Sequence, residues 1–347
     1  MKKITLVLFM LIVQNILAQQ PYYNDVDLTL TGQDLYLELQ SKIAITNSNF
    51  TYGDIRDTMK ITDENPNDIS DVLLFYGYDN SNCTIDRSRD KDDFGGSNCE
   101  YNREHVFARS NSDPEMGSAS NNSIGIIADP HNIKATDQQM NGDRGNRKFA
   151  DGSGNSGNVG ANWYPGDEWK GDTARMMMYM YTRYGERCLP SLNGSGALQS
   201  GNNMLQVYLQ WNIEDPVDAI FEDQRNNYLE TIYGNRNPFI DNPYLATIIW
   251  GGAPAEDRWG NLGIENNNEQ GFTIYPNPAT ESIAISSSNS QTNISATIYS
   301  ISGKKIKEVP SIKANQSMDI STLGSGIYII TIESPEKVRT TQKLVIK

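Results

Sequence analysis

Histidine is nearly absent from this chain: there are two in 347 residues, His105 and His131. Any step that needs a neutral imidazole near neutral pH has only those two candidates. Cysteine is almost as scarce, with Cys83, Cys99 and Cys188 and no Cys-x-x-Cys pair, which argues against a cysteine zinc site. Positive charge is also short: 29 Lys and Arg face 43 Asp and Glu, for a net charge of −14. That balance argues against a protein that coats nucleic acid non-specifically or clings to an anionic membrane. It leaves room for a locally basic cleft. Past the N-terminus, no stretch approaches the roughly 20 apolar residues that a bilayer span requires.

The one long apolar run covers residues 4–13, behind Lys2 and Lys3 and ahead of Ile16-Leu17-Ala18. A short positive segment, an apolar stretch too short to span and a small residue before Gln19 mark 1–18 as a secretory signal peptide. Export permits disulfides, and Cys83 with Cys99 would close an Asp-rich loop, leaving Cys188 as the odd thiol. The exported chain is expected to be a soluble monomer with no membrane span.

The length exceeds what one ordinary hydrophobic core covers, so two folded units are expected. Composition changes near residue 262: all five Trp and both His come before it, and 263–271 is a polar linker. Residues 19–270 hold 19 basic and 38 acidic side chains, whereas the chain from 280 onward is net positive. Segment 272–347 alternates apolar with polar residues in short runs (282–286, 294–299, 326–332 and 341–346 among them), the pattern of a small antiparallel β-sandwich. The unit before it, 19–262, is α+β. Helices are expected over 34–43, 173–187, 204–211 and 216–233, the last opening on Asp215-Pro216, and strands over 72–76, 100–107 and 124–128.

The chemistry concentrates in residues 99–148, where six basic and seven acidic side chains make a nearly neutral patch in an acidic unit. Hydrolysis of a phosphodiester needs a base to activate water, a divalent cation and cationic side chains to place the backbone. His105 can be the base. A hard cation wants oxygen ligands, and the Glu104 carboxylate with the Asn141 amide oxygen suits Mg²⁺, with Mn²⁺ or Ca²⁺ as alternatives. Neighbouring residues on a flat strand point to opposite faces, so Glu104 and His105 converge only where the strand ends or bends. Asn141 is expected on a helix over 133–142 packed across the strands. His131 reads first as a core histidine bonded to backbone. A calcium-stabilised adhesin using the Asp86–Asp93 loop is the competing reading, although its spacing is not that of an EF-hand.

Glu104-His105-Val106, Asp129-Pro130-His131-Asn132 and Asn141-Gly142-Asp143-Arg144-Gly145-Asn146 resemble the secreted bacterial endonuclease I family. The likeness continues through Lys170–Arg175, Trp211, Asp215-Pro216, Glu222, Arg225-Asn226 and 234–241, covering roughly 30–255. It implies a ββα-metal nuclease core with a mostly helical surround, acting on DNA and possibly RNA and leaving 5′-phosphate and 3′-hydroxyl ends. It implies His105 as general base, Glu104 and Asn141 as ligands of one divalent cation, and Arg103, Arg144 and Arg147 as nucleic-acid contacts. Asp129, His131 and Asn132 would support the site. Ala108 and Pro130 stand where the family often has Pro and Leu, and no arginine is assigned to face the transition state. The tail motifs at 272–279, 298–303, 326–330 and 343–347 resemble a type IX secretion C-terminal sorting domain. They imply export to the cell surface or beyond, with the type IX machinery as partner.

Overall fold

The computed structural model describes residues 20–260, 272–286, 293–300, 304–334 and 339–347. The expected signal peptide and linker lie outside the described residues. The chain divides into two compact units, Met1–Gly263 and Ile264–Lys347. No helix among the described residues is long and apolar enough to cross a membrane.

The first unit begins with α1 (Gly32–Ile43), which buries Leu35, Tyr36, Leu39 and Ile43 on one helical face. Next come α2 (Ile55–Thr62) and a three-stranded antiparallel sheet of β1 (Glu64–Asn65), β2 (Asp68–Leu73) and β3 (Ser88–Asp90). The central motif follows: β4 (Tyr101–His105) pairs antiparallel with β5 (Ile133–Asp137), which leads straight into α3 (Gln138–Arg144). A small ribbon of β6 (Gly157–Val159) and β7 (Asn162–Tyr164) precedes α4 (Lys170–Tyr184). The unit closes with α5 (Pro190–Asn193), α6 (Gln206–Glu214), α7 (Phe221–Tyr233), α8 (Pro238–Asp241) and α9 (Tyr244–Trp250).

Helix α4 is buried nearly all round, and its Met176, Met177, Met178 and Met180 fill the main core with Trp163, Trp169, Trp211 and Trp250. Gly171 is fixed by packing, since a Cβ there would lie 2.1 Å from the Asp215 carbonyl oxygen. A second core joins α2 to the β4–β5 pair through Ile55, Met59, Val72, Tyr101, Ile133 and Ala135.

Three sequence expectations are corrected. Segment 124–128 is not a strand: Gly125 takes φ +76° and Gly125–Ala128 turns as a 3-10 helix. Residues 133–142 are not one helix, because Ile133–Asp137 is captured by β4 as its ladder partner and only then does α3 begin. The helix expected from 216 starts at Phe221. Asp218, not Asp215, accepts the N–H groups of Ile220 and Phe221 at 2.7 and 2.9 Å, while Asp215 is spent on the Gly171 N–H at 2.8 Å.

The second unit holds β8 (Thr273–Tyr275), β9 (Ser282–Ser286), β10 (Asn293–Ser300), β11 (Lys305–Lys313), β12 (Ser317–Asp319), β13 (Gly326–Glu333) and β14 (Arg339–Ile346). They form two antiparallel sheets, ordered β11-β10-β13-β14 and β12-β9-β8. Alternation places Ile283 and Ile285 of one sheet in the same core as Ile294, Ile298, Ile330 and Leu344 of the other. The boundaries expected for these strands hold to within a few residues.

Candidate active site

The hairpin-and-helix unit is pinned by its caps. Asp137 ends β5 and caps α3, accepting the Gln139 and Met140 N–H groups at 2.8 and 3.1 Å. Its other oxygen takes Arg89 at 2.8 Å. Gly145, at φ +55°, ends the helix with its N–H on the Asn141 carbonyl. So held, α3 lays Asn141 and Arg144 along β4. The Asn141 amide donates to Asn102 Oδ1 at 2.7 Å and more weakly to the Arg103 carbonyl.

Strand β4 ends at His105, and the chain bends through Val106 and Phe107. Glu104 and His105 therefore line one cleft in spite of being neighbours. Its volume is about 520 Å³, and its walls include Tyr52, Arg103, Arg109, Glu115, Asn141 and Asn146. The Glu104 Oε1 atom accepts from Tyr76 Oη at 3.1 Å and from Arg144 Nη1 at 2.9 Å. Burial pushes this carboxyl up to about 7, against the pull of Arg144 and Tyr76.

His105 is buried and stacked on Tyr52, with ring centroids 5.3 Å apart and an interplanar angle of 19°. Its Nε2 lies 2.8 Å from the Ile127 carbonyl oxygen. A carbonyl can only accept, so Nε2 carries the proton and Nδ1 is left as the basic lone pair. Burial pushes the imidazole down to about 4, helped by Arg109, Arg103 and Arg144, so it stays neutral near pH 7. The 3-10 turn at Gly125–Ala128 thus carries the carbonyl that orients the ring.

The three arginines named from the sequence fall in different places. Arg103 lines the cleft, with its guanidinium 3.7 Å from the Tyr52 ring centroid and donating to the Tyr52 carbonyl. Arg144 is 0% exposed. Besides Glu104 it holds the carbonyls of His105 and Val106 at 3.0 and 2.8 Å, and it lies over Phe149. The expectation that it touches nucleic acid is corrected by this burial: it braces the end of β4. Arg147 folds back onto the Asp143 and Arg144 carbonyls at the C-terminal end of α3.

Asp129, His131 and Asn132 stand behind the cleft. Asp129 accepts from the His131 N–H, Tyr179, Arg183 and Tyr184. His131 is buried against Tyr179, with Nε2 3.3 Å from the Asn235 carbonyl. Asn132 pairs through both side-chain atoms with the Phe107 backbone, at 2.7 and 3.1 Å, and so extends the β4 ladder past His105. Cys83 and Cys99 are joined as a disulfide, and Cys188 is buried and free. In the Asp-rich loop, Asp86 pairs with Arg89 and Asp92 with Lys60.

Sequence reading missed Tyr52, Tyr76 and Arg109. Arg109 lines the cleft four residues after the histidine, and its guanidinium donates to the Gly117 carbonyl at 2.7 Å. Its position just past the Glu-His-Val-Phe run was the available signal. Nothing near Tyr52 or Tyr76 marks them, because they reach the site from elements far away in sequence.

A donor set for a hard cation is present. Among the described residues none donates a hydrogen bond to Glu104 Oε2 or Asn141 Oδ1, and both residues line the cleft. Among the described residues no three His, Cys, Asp or Glu side chains converge as a metal cage, in this cleft or outside it. A carboxylate and an amide oxygen, with water and phosphate oxygens to complete the shell, fit a hard divalent ion.

A ββα unit thus presents a histidine, a carboxylate and an amide to one cleft between arginines. Residues 31–244 match the Endonuclease I model, and the chain belongs to that family. Residues 273–347 match the secretion system C-terminal sorting domain. The chain is 36% identical over 235 residues to an extracellular ribonuclease of Bacillus subtilis (strain 168), covering 63% of this chain and 75% of that one. It is also 36% identical over 221 residues to an extracellular ribonuclease of Bacillus amyloliquefaciens, covering 60% and 71%. The protein is a nuclease routed by type IX secretion to the cell surface or beyond. Enzymes of the Endonuclease I family generally depend on a divalent cation.

Proposed function

We propose that the protein is a monomeric endonuclease, exported behind a cleaved signal peptide, that hydrolyses phosphodiesters in DNA and RNA with His105 as general base. The observation that carries this reading is the Ile127 carbonyl on His105 Nε2, which leaves Nδ1 as a neutral acceptor in a residue lining the cleft. The reach to RNA is supported by the two Bacillus relatives, both named as ribonucleases.

His105 Nδ1 takes a proton from water as the water oxygen attacks phosphorus. The bond from phosphorus to the 3′-oxygen breaks and solvent water protonates the departing oxygen, leaving a 5′-phosphate and a 3′-hydroxyl. Arg103 and Arg109, two residues before and four residues after the base, place the phosphate backbone. Tyr52 fixes the plane of the imidazole. Arg144 is a positioning residue that acts through Glu104. Glu104 and Asn141 would hold a divalent cation, Mg²⁺ by preference, which when bound would supply positive charge against the negative charge that develops on the phosphate and the leaving oxygen.

Plasmid and RNA cleavage by the full chain with Mg²⁺, with EDTA and as His105→Ala tests the reading. Loss of cleavage in both altered conditions is expected. Cleavage that survives in His105→Ala moves the base elsewhere.

A further inference from the structure

Beside the cleft, and sharing Arg103 with it, is a second hollow of about 330 Å³. Its walls include Arg56, Phe94, Arg103, Asn121 and Asn122. We propose that this hollow is a subsite for one unpaired nucleobase, that of a nucleotide adjoining the scissile phosphate, and that it biases the enzyme toward single strands. The proposal rests on the endonuclease reading above and names the substrate class that the cleft favours.

Arg103 links the two chambers: its guanidinium lies 3.7 Å from the Tyr52 ring centroid on the cleft side and 5.5 Å from that of Phe94 on the other. A chain whose phosphate sits in the cleft therefore has its neighbouring nucleotide within reach of Phe94. That ring is half-buried and braced edge-on by Tyr101, with centroids 5.5 Å apart and an interplanar angle of 76°. Its backbone is pinned on both sides, by Gly95 N–H on the Tyr101 carbonyl at 3.0 Å and Tyr101 N–H on the Asp93 carbonyl at 2.9 Å. The disulfide from Cys83 to Cys99 closes the loop that carries it. Phe94 is thus a fixed platform.

The charge of the hollow suits a base better than a second phosphate. Arg56 and Arg103 are matched by Asp54 and Asp57, which line the same space. Asp54 is already engaged by the Thr51 N–H and hydroxyl, each at 2.8 Å. The Asn121 and Asn122 amides offer donors and acceptors to a base edge. A base in a duplex is stacked and paired, and must leave both neighbours before it can lie on an aromatic ring. The platform therefore rewards single strands.

The test is steady-state cleavage by the full chain, with Mg²⁺, of a single-stranded oligonucleotide and of the same sequence as a duplex. Phe94→Leu keeps the apolar packing on Tyr101 and removes the π-face, whereas Phe94→Tyr keeps both. For Phe94→Leu we expect KM on the single strand to rise about tenfold with kcat changed less than twofold, a modest share of the stacking contribution of a base on an aromatic ring. The duplex constants should move less than twofold, and Phe94→Tyr should behave as wild type. Equal effects on both substrates, a fall confined to kcat, or no effect on either would overturn the subsite. A wild-type chain that cleaves neither substrate overturns the endonuclease reading, and the subsite falls with it.

Discussion

His105 and His131 lie on the same short stretch of chain, both are buried, and both direct Nε2 at a backbone carbonyl. Burial pushes one down to about 4 and the other to about 3. Local chemistry does not separate them; their surroundings do. His105 stands at the end of a strand and lines an open cleft beside a carboxylate and an amide with oxygens to spare. His131 is enclosed by Tyr179, Tyr233, Asn235 and the Asp129 network, where the Asp129 carboxylate is already taken by Tyr179, Arg183 and Tyr184. The same pattern extends around His131. Arg175 is paired with Glu222, Arg225 with Asp63, and Arg236 with Asp241, all buried. What separates a candidate functional residue from a structural one here is an unspent atom on a cleft that a substrate can enter.

The largest expected effect comes from removing the cation. Chelation should take cleavage to background and leave the far-ultraviolet circular dichroism unchanged. Asn141→Ala should raise the concentration of Mg²⁺ needed for half-maximal rate. Retained cleavage in excess EDTA would show that the unspent oxygens serve something else.

Next comes exchange of the two histidines. His105→Ala should lower kcat by about 10²–10⁴, the usual contribution of a general base. His131→Ala should lower stability by about 2–4 kcal/mol through cavity formation and a lost hydrogen bond, with the folded fraction still active. Urea melts and single-turnover rates on both variants measure this. A His131 variant that is stable and inactive would erase the distinction drawn here.

Arg144 and Arg109 sharpen the comparison among the arginines. Arg144→Ala leaves Glu104 buried beside Tyr76 alone, and a broken buried pair of this kind costs about 3–5 kcal/mol. Arg109→Ala should leave the melting temperature within a few degrees and lower kcat/KM about tenfold or more. If Arg109→Ala proves harmless on every substrate, Arg103 carries the phosphate alone.

The smallest effect is a slope. The unfolded His131 titrates near pH 6.5 and the folded one near 3. Between those values the unfolded chain binds a proton that the folded chain refuses, so this residue lowers stability as pH falls. Its contribution is about 1.4 kcal/mol per pH unit in the window and is absent above it. His131→Gln should flatten the stability curve between pH 6.5 and 4 relative to wild type, as read by urea melts. An unchanged slope would place the proton elsewhere.

Much of the candidate site could be proposed before any fold was known. Glu104, His105 and Asn141 stood out because a two-histidine chain offers few bases and hard cations want oxygen. What could not be read was commitment. Arg144 and Arg103 look alike in sequence, yet one is sealed under β4 and the other opens onto the cleft. The strand at Ile133–Asp137 was missed because its conformation is set by pairing with β4, a contact made across 27 intervening residues or more, not by its own periodicity.

By itself the sequence determined the two-unit division, the alternating strands of the sorting domain and the identity of the chemical groups, since these follow from local periodicity and composition. Only the tertiary structure decided which of those groups keep a free atom. It closed Asp129, His131 and Arg144 into networks, brought Tyr52 to the face of His105, and set the Ile127 carbonyl on its Nε2. Burial and hydrogen bonding are properties of neighbours in space, and the order of residues along a chain does not contain them locally.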